Sequence, residues 1–415
     1  MKMSYDIAIV GAGIAGSALA CSLAMTADAM DKPLRIALIE AQAISDSYPC
    51  CEEGINDFDA RVSALTAGSQ QFLESIGVWS DMARQRVSRF DKMIVWDAEG
   101  TGHIEFDATD IRASELGHIV ENRVTVAALH QRIKILSGVD VFSERSVAGI
   151  DLLATDARPN KSCLTLDDGR ILEAQLIVAA DGANSPLRTM AEMQVREWSY
   201  QQSALVCVVE TSQCHEHTAW QRFTAHGPLA FLPLSLSQSD KNYCSIVWSQ
   251  TDKENALSMA MDDDDFSRAL GRAFEHRLGE IKGVSKRFSF PLQQRHAVDY
   301  VRPNFALVAD AAHAIHPLAG QGINLGLADV KAFSEVILAG HQRGQSLGHI
   351  GLLKRYQRQR KADNLAMMAA IEGLKRLFEP LPLPLRWARN VGMNIFHAQS
   401  QLKNKVIRHA MGIDS

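Results

Sequence analysis

Blocks of consecutive apolar residues recur along the chain, and each block ends at glycines or at an acidic residue. Residues 5–10 (YDIAIV) lead into GAGIAG, residues 35–40 (RIALIE) end on a glutamate, and residues 174–181 (AQLIVAAD) end on an aspartate. A fourth block, residues 305–310 (FALVAD), also ends on an aspartate. Short apolar runs that end at turn residues predict buried strands of an α/β sheet, and ligands bind beyond the carboxyl ends of such strands.

The first block continues into a long apolar segment that could be mistaken for a membrane-inserted sequence. Residues 7–25 are almost wholly apolar, but Asp6 precedes them, Lys2 is the only basic residue before them, and glycines interrupt them. This arrangement predicts a strand, a tight turn and a buried helix rather than a signal peptide. No other uncharged run reaches the roughly 18 residues that a spanning helix needs, so we expect a cytoplasmic protein.

The turn after the first strand has the spacing G-x-G-x-x-G. Gly11, Gly13 and Gly16 permit a tight turn and let backbone N–H groups approach a pyrophosphate at the positive end of the helix. Glu40, at the end of the next strand, is placed to accept hydrogen bonds from the hydroxyls of a ribose, which disfavours a 2′-phosphate. These residues predict FAD or NAD rather than NADP. The alternative is that the glycines serve only helix–sheet packing.

The two later strand ends carry aspartates. Asp181 and Gly182 follow one strand, and Ser185 and Pro186 are suited to cap and open a helix. By itself, Asp181-Gly182 could equally be a plain turn. Asp310 follows the last strand and is placed to hydrogen-bond a polyol chain.

The segment after Asp310 predicts a second ligand-facing helix start. Gly320, Gln321 and Gly322 open this helix, and its free N–H groups suit an electron-rich, partly anionic ring such as a reduced isoalloxazine. Pro317 and Leu318 are then expected to line the edge of that ring.

Composition excludes several other classes of protein. The chain has 415 residues and a net charge of −5, so no strong field favours nucleic acid, and its seven cysteines are scattered without metal spacing. His313 and His316 lack a third ligand at a sensible spacing, so we predict no metal. We favour a structural role for both histidines over contact with a substrate.

The middle of the chain reads as an antiparallel sheet. MIVWDAEGTGHIEF, ALVCVVE, AWQRFTA, LAFLPL and YCSIVWS alternate apolar and polar positions with the period of a strand. Such a sheet is suited to cover the cofactor and form a substrate pocket. Trp220, Phe223, Phe231 and Trp248 either line that pocket or pack in the core.

The C-terminal part differs from the body in charge. Residues 354–408 contain twelve Lys or Arg and three acids, a formal +9, which leaves −14 for the remainder of the −5 chain. Met367, Ile371, Leu374 and Phe378 recur at helical spacing before EPLPLPLRW ends the helix. The helix is either packed on the body or part of a basic amphipathic surface that meets anionic lipid or partner proteins.

Five segments together resemble one known family. GAGIAG, RVSALTAGSQQFLESIGVW, LGHIVENRVTVAAL, AADGANSPLR and VADAAHAIHPLAGQGINLGLADV are similar to the flavin-dependent aromatic hydroxylases. They resemble most the branch that hydroxylates polyprenylated rings in ubiquinone biosynthesis. The segment HPLAGQGINLG is the most specific of them, and the resemblance covers nearly the whole chain.

This resemblance implies a role for individual residues. For the adenosine half of FAD, it implies binding by Gly11, Gly13, Gly16 and Glu40. Arg61 and Asn122 would lie near the pyrophosphate and flavin, and Asp181 would serve FAD and the nicotinamide cofactor. Asp310 would bind the ribityl chain, while Gly322 and Ile323 would present backbone to the flavin. The family usually has glycine where this chain has Ala309, and the extra methyl group is expected to crowd the cofactor slightly.

The resemblance also implies a reaction. FAD reduced by NAD(P)H would react with dioxygen to a C4a-hydroperoxide, which hydroxylates a polyprenylated phenol or benzoquinol. An enzyme without a membrane span would meet this substrate at the inner face of the cytoplasmic membrane or receive it from other ubiquinone-biosynthesis proteins. The alternatives are a soluble aromatic-acid hydroxylase, an isoprenoid reductase, and a non-catalytic scaffold of a quinone-biosynthesis complex.

The order of these elements predicts a Rossmann-like α/β FAD-binding domain interleaved with an antiparallel substrate domain. We assign residues 1–80, 110–185 and 288–345 to the FAD-binding domain and residues 81–109 and 186–287 to the substrate domain. Residues 346–415 form a C-terminal helical region.

Overall fold

The computed structural model describes residues 2–45, 47–48, 54–152, 161–236, 241–315 and 320–412. The strands in these residues are β1 Lys2–Val10, β2 Ile36–Glu40, β3 Val62–Leu65, β4 Val87–Phe90, β5 Lys92–Asp97, β6 His103–Asp107, β7 Gly117–Glu121, β8 Val139–Ser143, β9 Val147–Asp151, β10 Ser162–Leu166, β11 Ile171–Ala179, β12 Val195–Thr211, β13 Thr218–Thr224, β14 Gly227–Leu234, β15 Tyr243–Thr251, β16 Ile281–Val284, β17 Phe288–Ala297, β18 Val301–Arg302, β19 Phe305–Leu307 and β20 His313–Ala314.

The α-helices are α1 Ile14–Ala29, α2 Ala67–Ser75, α3 Trp79–Ala83, α4 Asn122–Lys134, α5 Pro186–Met190, α6 Asp252–Ala260, α7 Asp263–Ala273, α8 Gln321–Gln342, α9 Ile350–Leu377, α10 Leu383–Ala398 and α11 Ser400–Ala410. Short 3₁₀ turns span Ile55–Asp57, Ala108–Ile111 and Ala309–Ala311. In the described part of the chain, no helix combines the length and the apolar character needed to cross a membrane.

The first sheet contains the predicted strand ends. Its order is β18-β19-β11-β1-β2-β8, and β1 runs parallel to both β2 and β11. The helix α1 packs against α4 and α8, and eleven of its sixteen residues are buried. The strand, turn and buried helix predicted at the N-terminus are therefore confirmed. Ser185 caps α5 by accepting a hydrogen bond from the backbone N–H of Arg188, also as expected.

The second sheet carries the alternating segments. Its order is β20-β17-β12-β15-β14-β13-β5-β6, with β16 beside β12, and only the β13–β5 pair is parallel among the strands described. A third sheet, β3-β7-β4, is antiparallel. The strand β17 begins the third predicted FAD-binding segment and pairs with β12 of the second sheet. The domain boundaries therefore stay a prediction.

The aromatic residues of the second sheet lie on both of its faces. Phe231 stacks on Phe274, the residue that follows α7, with ring centroids 3.6 Å apart, and Trp220 meets the same ring edge-on at 6.2 Å. Trp248 packs into this cluster as well. Phe223, three residues after Trp220, points to the opposite face because side chains alternate along a strand. Core packing is thus the correct alternative for Trp220, Phe231 and Trp248.

The C-terminal region is helical, and α9 ends before the proline-rich segment as predicted. Met367, Ile371 and Phe378 pack in one cluster with Phe223 of the second sheet. Leu374, the fourth residue of this predicted apolar face, is 39% exposed. Three of the four residues therefore pack α9 against the body of the protein.

His215, between β12 and β13, is a buried neutral ring held by two backbone groups. Its Nε2 lies 3.1 Å from the carbonyl oxygen of Leu234, and the N–H of His217 donates to its Nδ1 at 3.1 Å. One donor and one acceptor match a neutral imidazole. Burial lowers the pKa of His215 to about 4 from 6.5.

We expect the free energy of unfolding to fall as the pH is lowered from 6.5 toward 4, partly through His215. Because its folded-state pKa is depressed, the unfolded chain takes up the proton first. The stabilisation is therefore fully present above the unfolded pKa and is lost as pH falls through the folded value, by about 2 kcal/mol at pH 5. Urea unfolding at pH 7 and pH 5 should show a smaller pH effect in His215→Gln than in His226→Gln, whose ring is exposed. Equal pH effects in the two variants would contradict this assignment.

Candidate cofactor site

A cavity of about 540 Å³ lies beyond the carboxyl ends of β1, β2 and β11. Nine of the eleven residues predicted to bind cofactor line it: Gly11, Gly13, Glu40, Arg61, Asn122, Asp181, Asp310, Gly322 and Ile323. The segments that contribute these residues are far apart in sequence. The structure therefore brings the separate strand ends to one site.

The glycine-rich turn is shaped by close backbone packing. Gly11 has φ +101°, and a Cβ atom there would lie 2.4 Å from the carbonyl oxygen of Ala180. Gly16 does not line the cavity, because its Cα faces the carbonyl of Gly11, where a Cβ would clash. No side chain of the described residues caps α1. Its first N–H groups, including those of Ile14 and Ala15, are therefore available at the cavity wall.

Glu40 is fixed by backbone donors. The N–H of Ala12 donates to Glu40 Oε2 at 2.6 Å, and the N–H of Gln42 donates to Oε1 at 3.0 Å. The turn itself is supported from behind by His130, whose ring nitrogens each lie 2.8 Å from a backbone carbonyl, those of Ala12 and Ser45. The carboxylate is thus held in place before any ligand arrives.

Arg61 and Asn122 meet where the third sheet ends. Val62 of β3 pairs with Glu121 of β7, and the N–H of Asn122 donates to the carbonyl of Arg61 at 3.0 Å. Ser63 Oγ donates to Asn122 Oδ1 at 2.6 Å. This register presents both predicted residues to the cavity.

Asp181 carries an acceptor that the protein does not satisfy. Its Oδ2 accepts from the N–H of Leu187 at 3.1 Å, while its buried Oδ1 has no hydrogen-bond partner among the described residues. Burial raises the pKa of this carboxyl. A buried acceptor left unpaired is costly, so a ligand or solvent group in the cavity is expected to bind it.

Asp310 is exposed to the cavity but enclosed by protein on its other sides. Burial raises the pKa of its carboxyl, and nearby Asp329 adds to this effect while His313 opposes it. A hydroxyl-rich ligand would offset the cost of keeping this group ionised, since it donates hydrogen bonds to the charged form.

Ala309 adopts a conformation that glycine prefers. Its φ is +52°, in the left-handed region. A Cβ atom at Gly326 of α8 would lie 3.0 Å from the Cβ of Ala309, and both residues line the cavity. The methyl group that departs from the family pattern therefore fits because position 326 is glycine.

The start of α8 presents backbone to the cavity. Gly320 is its N-cap with φ +62°, and Gly322 and Ile323 of its first turn line the cavity. Asn324 fixes this turn by accepting from the N–H of Thr66 at 3.0 Å and donating to the carbonyl of Ala64 at 2.8 Å. Sequence reasoning missed Asn324, although it follows the glycines directly. Pro317, Leu318 and His316 lie outside the described residues.

A wholly buried carboxylate, Asp329 of α8, supports the loop that carries Asp310. His313 Nε2 lies 2.6 Å from Asp329 Oδ2, which agrees with a structural role for this histidine. Arg360 Nε and Asn364 Nδ2, both on α9, donate to Oδ1 at 2.8 and 3.1 Å. Burial acts to raise the pKa of Asp329, but His313 and Arg360 outweigh it and leave the pKa lowered.

Arg145, Ser146 and Val147 also line the cavity, although no sequence pattern predicts this role for them. Arg145 and Ser146 lie in the connection between β8 and β9, and Val147 is the first residue of β9. Arg145 Nε donates to Asp168 Oδ2 at 2.8 Å, so its side chain is directed by a residue outside the cavity. Connecting loops without glycine or alternating pattern leave no local mark of such a role.

The residues of the cavity fit FAD. The uncapped start of α1 suits a pyrophosphate, and Glu40 is held at the end of β2 where a ribose would lie. The unpaired Oδ1 of Asp181 and the enclosed carboxylate of Asp310 supply acceptors for hydroxyl donors. In the described part of the chain, no group of histidine, cysteine and acidic side chains is arranged to hold a metal ion.

We expect Gly326→Ala to destabilise the protein and Ala309→Gly to rescue it. Two methyl groups 3.0 Å apart would force a shift that costs about 1–3 kcal/mol, and removing the one at position 309 relieves it. Thermal unfolding of the apoprotein and fluorescence titration with FAD should both show the rescue in the double variant. Additive effects of the two substitutions would show that they do not share a contact.

Comparison with known proteins gives the same assignment. The sequence model described as "FAD binding domain" matches residues 4–370. The chain is 35% identical to the 3-demethoxyubiquinol 3-hydroxylase of Escherichia coli (strain K12), covering 98% of each chain. It is 33% identical to the mitochondrial ubiquinone biosynthesis monooxygenase of Mus musculus, over 98% of this chain and 90% of that protein.

A solved structure shows the same fold at low identity. The p-nitrophenol 4-monooxygenase of Pseudomonas putida DLL-E4 superimposes with a TM-score of 0.77 at 16% identity and covers 99% of both chains. With cavity, family model and full-length relatives in agreement, this chain belongs to the FAD-dependent hydroxylases of ubiquinone biosynthesis.

Proposed function

We propose that this protein hydroxylates the aromatic ring of a polyprenylated ubiquinone precursor, with bound FAD and with NAD(P)H and dioxygen as co-substrates. The proposal rests on the cavity, where Glu40, Asp181 and Asp310 meet in a chain similar throughout to ubiquinone-biosynthesis hydroxylases. The E. coli relative is named for a demethoxyubiquinol, which supports a prenylated quinol or phenol as the substrate class.

The cavity residues divide between the two halves of FAD. Glu40 and the start of α1 would hold the ribose and the pyrophosphate, while Asp310 and the first turn of α8 would hold the ribityl chain and the flavin. FAD reduced by NAD(P)H supplies the activated oxygen when it is bound. The protein fixes the orientation of the cofactor through backbone groups that are already in position.

The substrate ring is assigned to the side of Ile315. This residue lies beside Gly322, since a Cβ built on that glycine would be 3.9 Å from Ile315 Cγ1. Ile315 also packs in one apolar cluster with Val95 and Phe223 of the second sheet. An apolar wall between cofactor and sheet excludes water from the reacting atoms, which protects a reactive intermediate from hydrolysis.

We expect reduced holoenzyme, mixed with dioxygen and a prenylated phenol, to insert one oxygen atom from dioxygen into the ring. The reaction run under ¹⁸O₂ should place label in the product, as measured by mass spectrometry. A matched reaction in H₂¹⁸O under ordinary dioxygen should give unlabelled product. Label from water would exclude a monooxygenase, and a colourless purified protein that takes up no FAD would favour the scaffold.

We further propose that the last three helices contact an anionic membrane. Nine of the sixteen large apolar side chains that are exposed in the described residues come from this region. They are Leu365, Leu374, Leu377, Leu383, Leu385, Trp387, Ile395, Leu402 and Val406, which we call the C-terminal apolar surface. Exposed apolar residues concentrated in one region indicate an interaction surface.

The helix α10 shows how this exposure is maintained. Its buried side includes Arg389 and Asn390, which donate to Asp97 Oδ2 at 2.7 and 2.9 Å. Leu383 and Trp387 on the same helix are 79% and 69% exposed. A helix that packs on its own protein normally buries apolar residues, so this reversed arrangement favours a lipid surface as the partner.

Charge supports the same partner. Residues 354–408 carry a formal +9 within a chain of −5. Arg360 and Arg389 are buried in ion pairs with Asp329 and Asp97, so the basic residues that stay at the surface supply the attraction, each up to about 1 kcal/mol near an anionic leaflet. The tryptophan Trp387 suits the headgroup level, where its ring is amphipathic. The protein would then reach a substrate dissolved in the bilayer without spanning it.

We expect FAD-loaded protein to float with anionic vesicles at low salt and to dissociate at about 1 M salt, where screening shortens to about 3 Å. Leu383→Ser together with Trp387→Ser should reduce flotation, because both side chains would insert into the interface. The control Leu257→Ser removes a side chain that is 58% exposed on α6 and should float like wild type. Wild-type protein that stays at the bottom at low salt would contradict membrane binding.

A further inference from the structure

A separate cavity of about 250 Å³ lies between the second sheet and the end of α9. It is lined by Tyr200, Gln202, Phe223, the turn residues 224–228, Thr251, Lys375, Phe378, Glu379 and Pro380. None of these residues lines the cofactor cavity. The cavity therefore needs an explanation of its own.

Its deep walls are aromatic and apolar. Phe223 and Phe378 stack with centroids 4.0 Å apart and are both buried. Lys375 Nζ lies 3.8 Å from the centroid of the Tyr200 ring, and burial lowers the pKa of Lys375. The ammonium group is thus engaged with an aromatic face, and Glu379 lies at the exposed rim.

Apolar contacts connect this cavity to the flavin side of the cofactor site. Phe223 and Phe378 belong to the same cluster as Ile371, and Met367 and Ile315 pack against it. Ile315 in turn lies beside the first turn of α8, which lines the cofactor cavity. Among the described residues, the side chains between the flavin side of the cofactor cavity and this second cavity are therefore apolar, and a prenyl chain would reach the second cavity by displacing some of them.

The other end of the cavity reaches the protein surface next to exposed apolar side chains. Leu374 and Leu377 flank Lys375 on α9 and are 39% and 43% exposed. Both belong to the C-terminal apolar surface. The cavity thus lies between the ring site and the surface that we assign to the membrane.

We propose that this cavity holds part of the isoprenoid tail while the ring is at the flavin. This inference rests on the proposed function and specifies which part of the substrate the cavity recognises. A hydrocarbon needs no hydrogen-bond partners, and its burial is favourable in proportion to the apolar area removed from water. A nucleotide fits less well, because the lining offers one lysine, already placed over Tyr200, and an opposing acid.

The first test fills the cavity and varies the tail. Ala225→Trp adds bulk in the β13–β14 turn that lines it, and Glu379→Trp adds bulk at the exposed rim. With a long-tailed substrate we expect kcat/KM of holoenzyme to fall about tenfold, as for loss of roughly two buried methylene groups. With the same ring on a single isoprene unit, kcat/KM should be unchanged. Ala260→Trp, at the exposed end of α6, is the matched control.

Equal losses for both substrates, or no loss for either, in variants with wild-type FAD content and melting temperature would overturn the proposal. Calorimetric titration with geranylgeraniol, which has no ring, supplies a readout independent of hydroxylation. Wild-type holoenzyme should bind it, and Ala225→Trp should bind it at least tenfold more weakly. Absent binding, or binding unaffected by either variant, would overturn the tail site even if hydroxylation is observed. Binding without hydroxylation would instead count against the proposed reaction.

Discussion

A hydrogen-bond network around the buried carboxylate of Asp329 holds the cofactor site together. Asp329 is 0% exposed, and an isolated charge at such a position would cost several kcal/mol. His313, Arg360 and Asn364 supply the hydrogen bonds that offset this cost. Removing one partner would leave part of this cost uncompensated. The network therefore holds β20, α8 and α9 in one arrangement. This network also positions the loop that carries Asp310 and the first turns of α8.

The same network reaches the second sheet. Asn364 Nδ2 lies 3.4 Å from the hydroxyl of Tyr300, and that hydroxyl lies 3.0 Å from Nε2 of His296 on β17. Burial lowers the pKa of His296 to about 4, which keeps its ring neutral beside the hydrogen-bond network of Asp329. A continuous line of hydrogen bonds thus joins α8, which lines the cofactor cavity, to β17 of the second sheet. The relative position of cofactor and sheet is therefore set by polar contacts, while apolar packing supplies the bulk of the core.

The sequence predicted those parts of the site that are local in the chain. Gly11 and Glu40 come at the ends of strands, Asp181 and Asp310 follow the same rule, and Gly322 opens a helix. Each lies where a strand ends or a helix begins, and a short window of residues marks such a boundary.

Contacts between distant segments could not be predicted in this way. Asp329 and Arg360 pair across 31 positions, and nothing in either segment marks the other. The faces of the second sheet were ambiguous for a similar reason. Apolar residues pack against both faces of this sheet. The alternation of side chains along β13 therefore predicts that Trp220 and Phe223 lie on opposite faces, but not which of the two faces contacts α7. The sequence likewise predicts slight crowding of the cofactor by Ala309 but does not show that Gly326 of α8 faces its methyl group.

The helix α9 joins the chemistry to the proposed entry of the substrate. Its 28 residues span about 42 Å at 1.5 Å per residue. Arg360 and Asn364 near its middle hold the cofactor loop through Asp329, whereas Phe378 at its end closes the second cavity beside exposed leucines. A helix of intact hydrogen bonds fixes the distance between these points. The depth to which the C-terminal apolar surface enters a bilayer would then also determine how far the flavin lies from the lipid, and so how much of a prenyl tail the protein must cover.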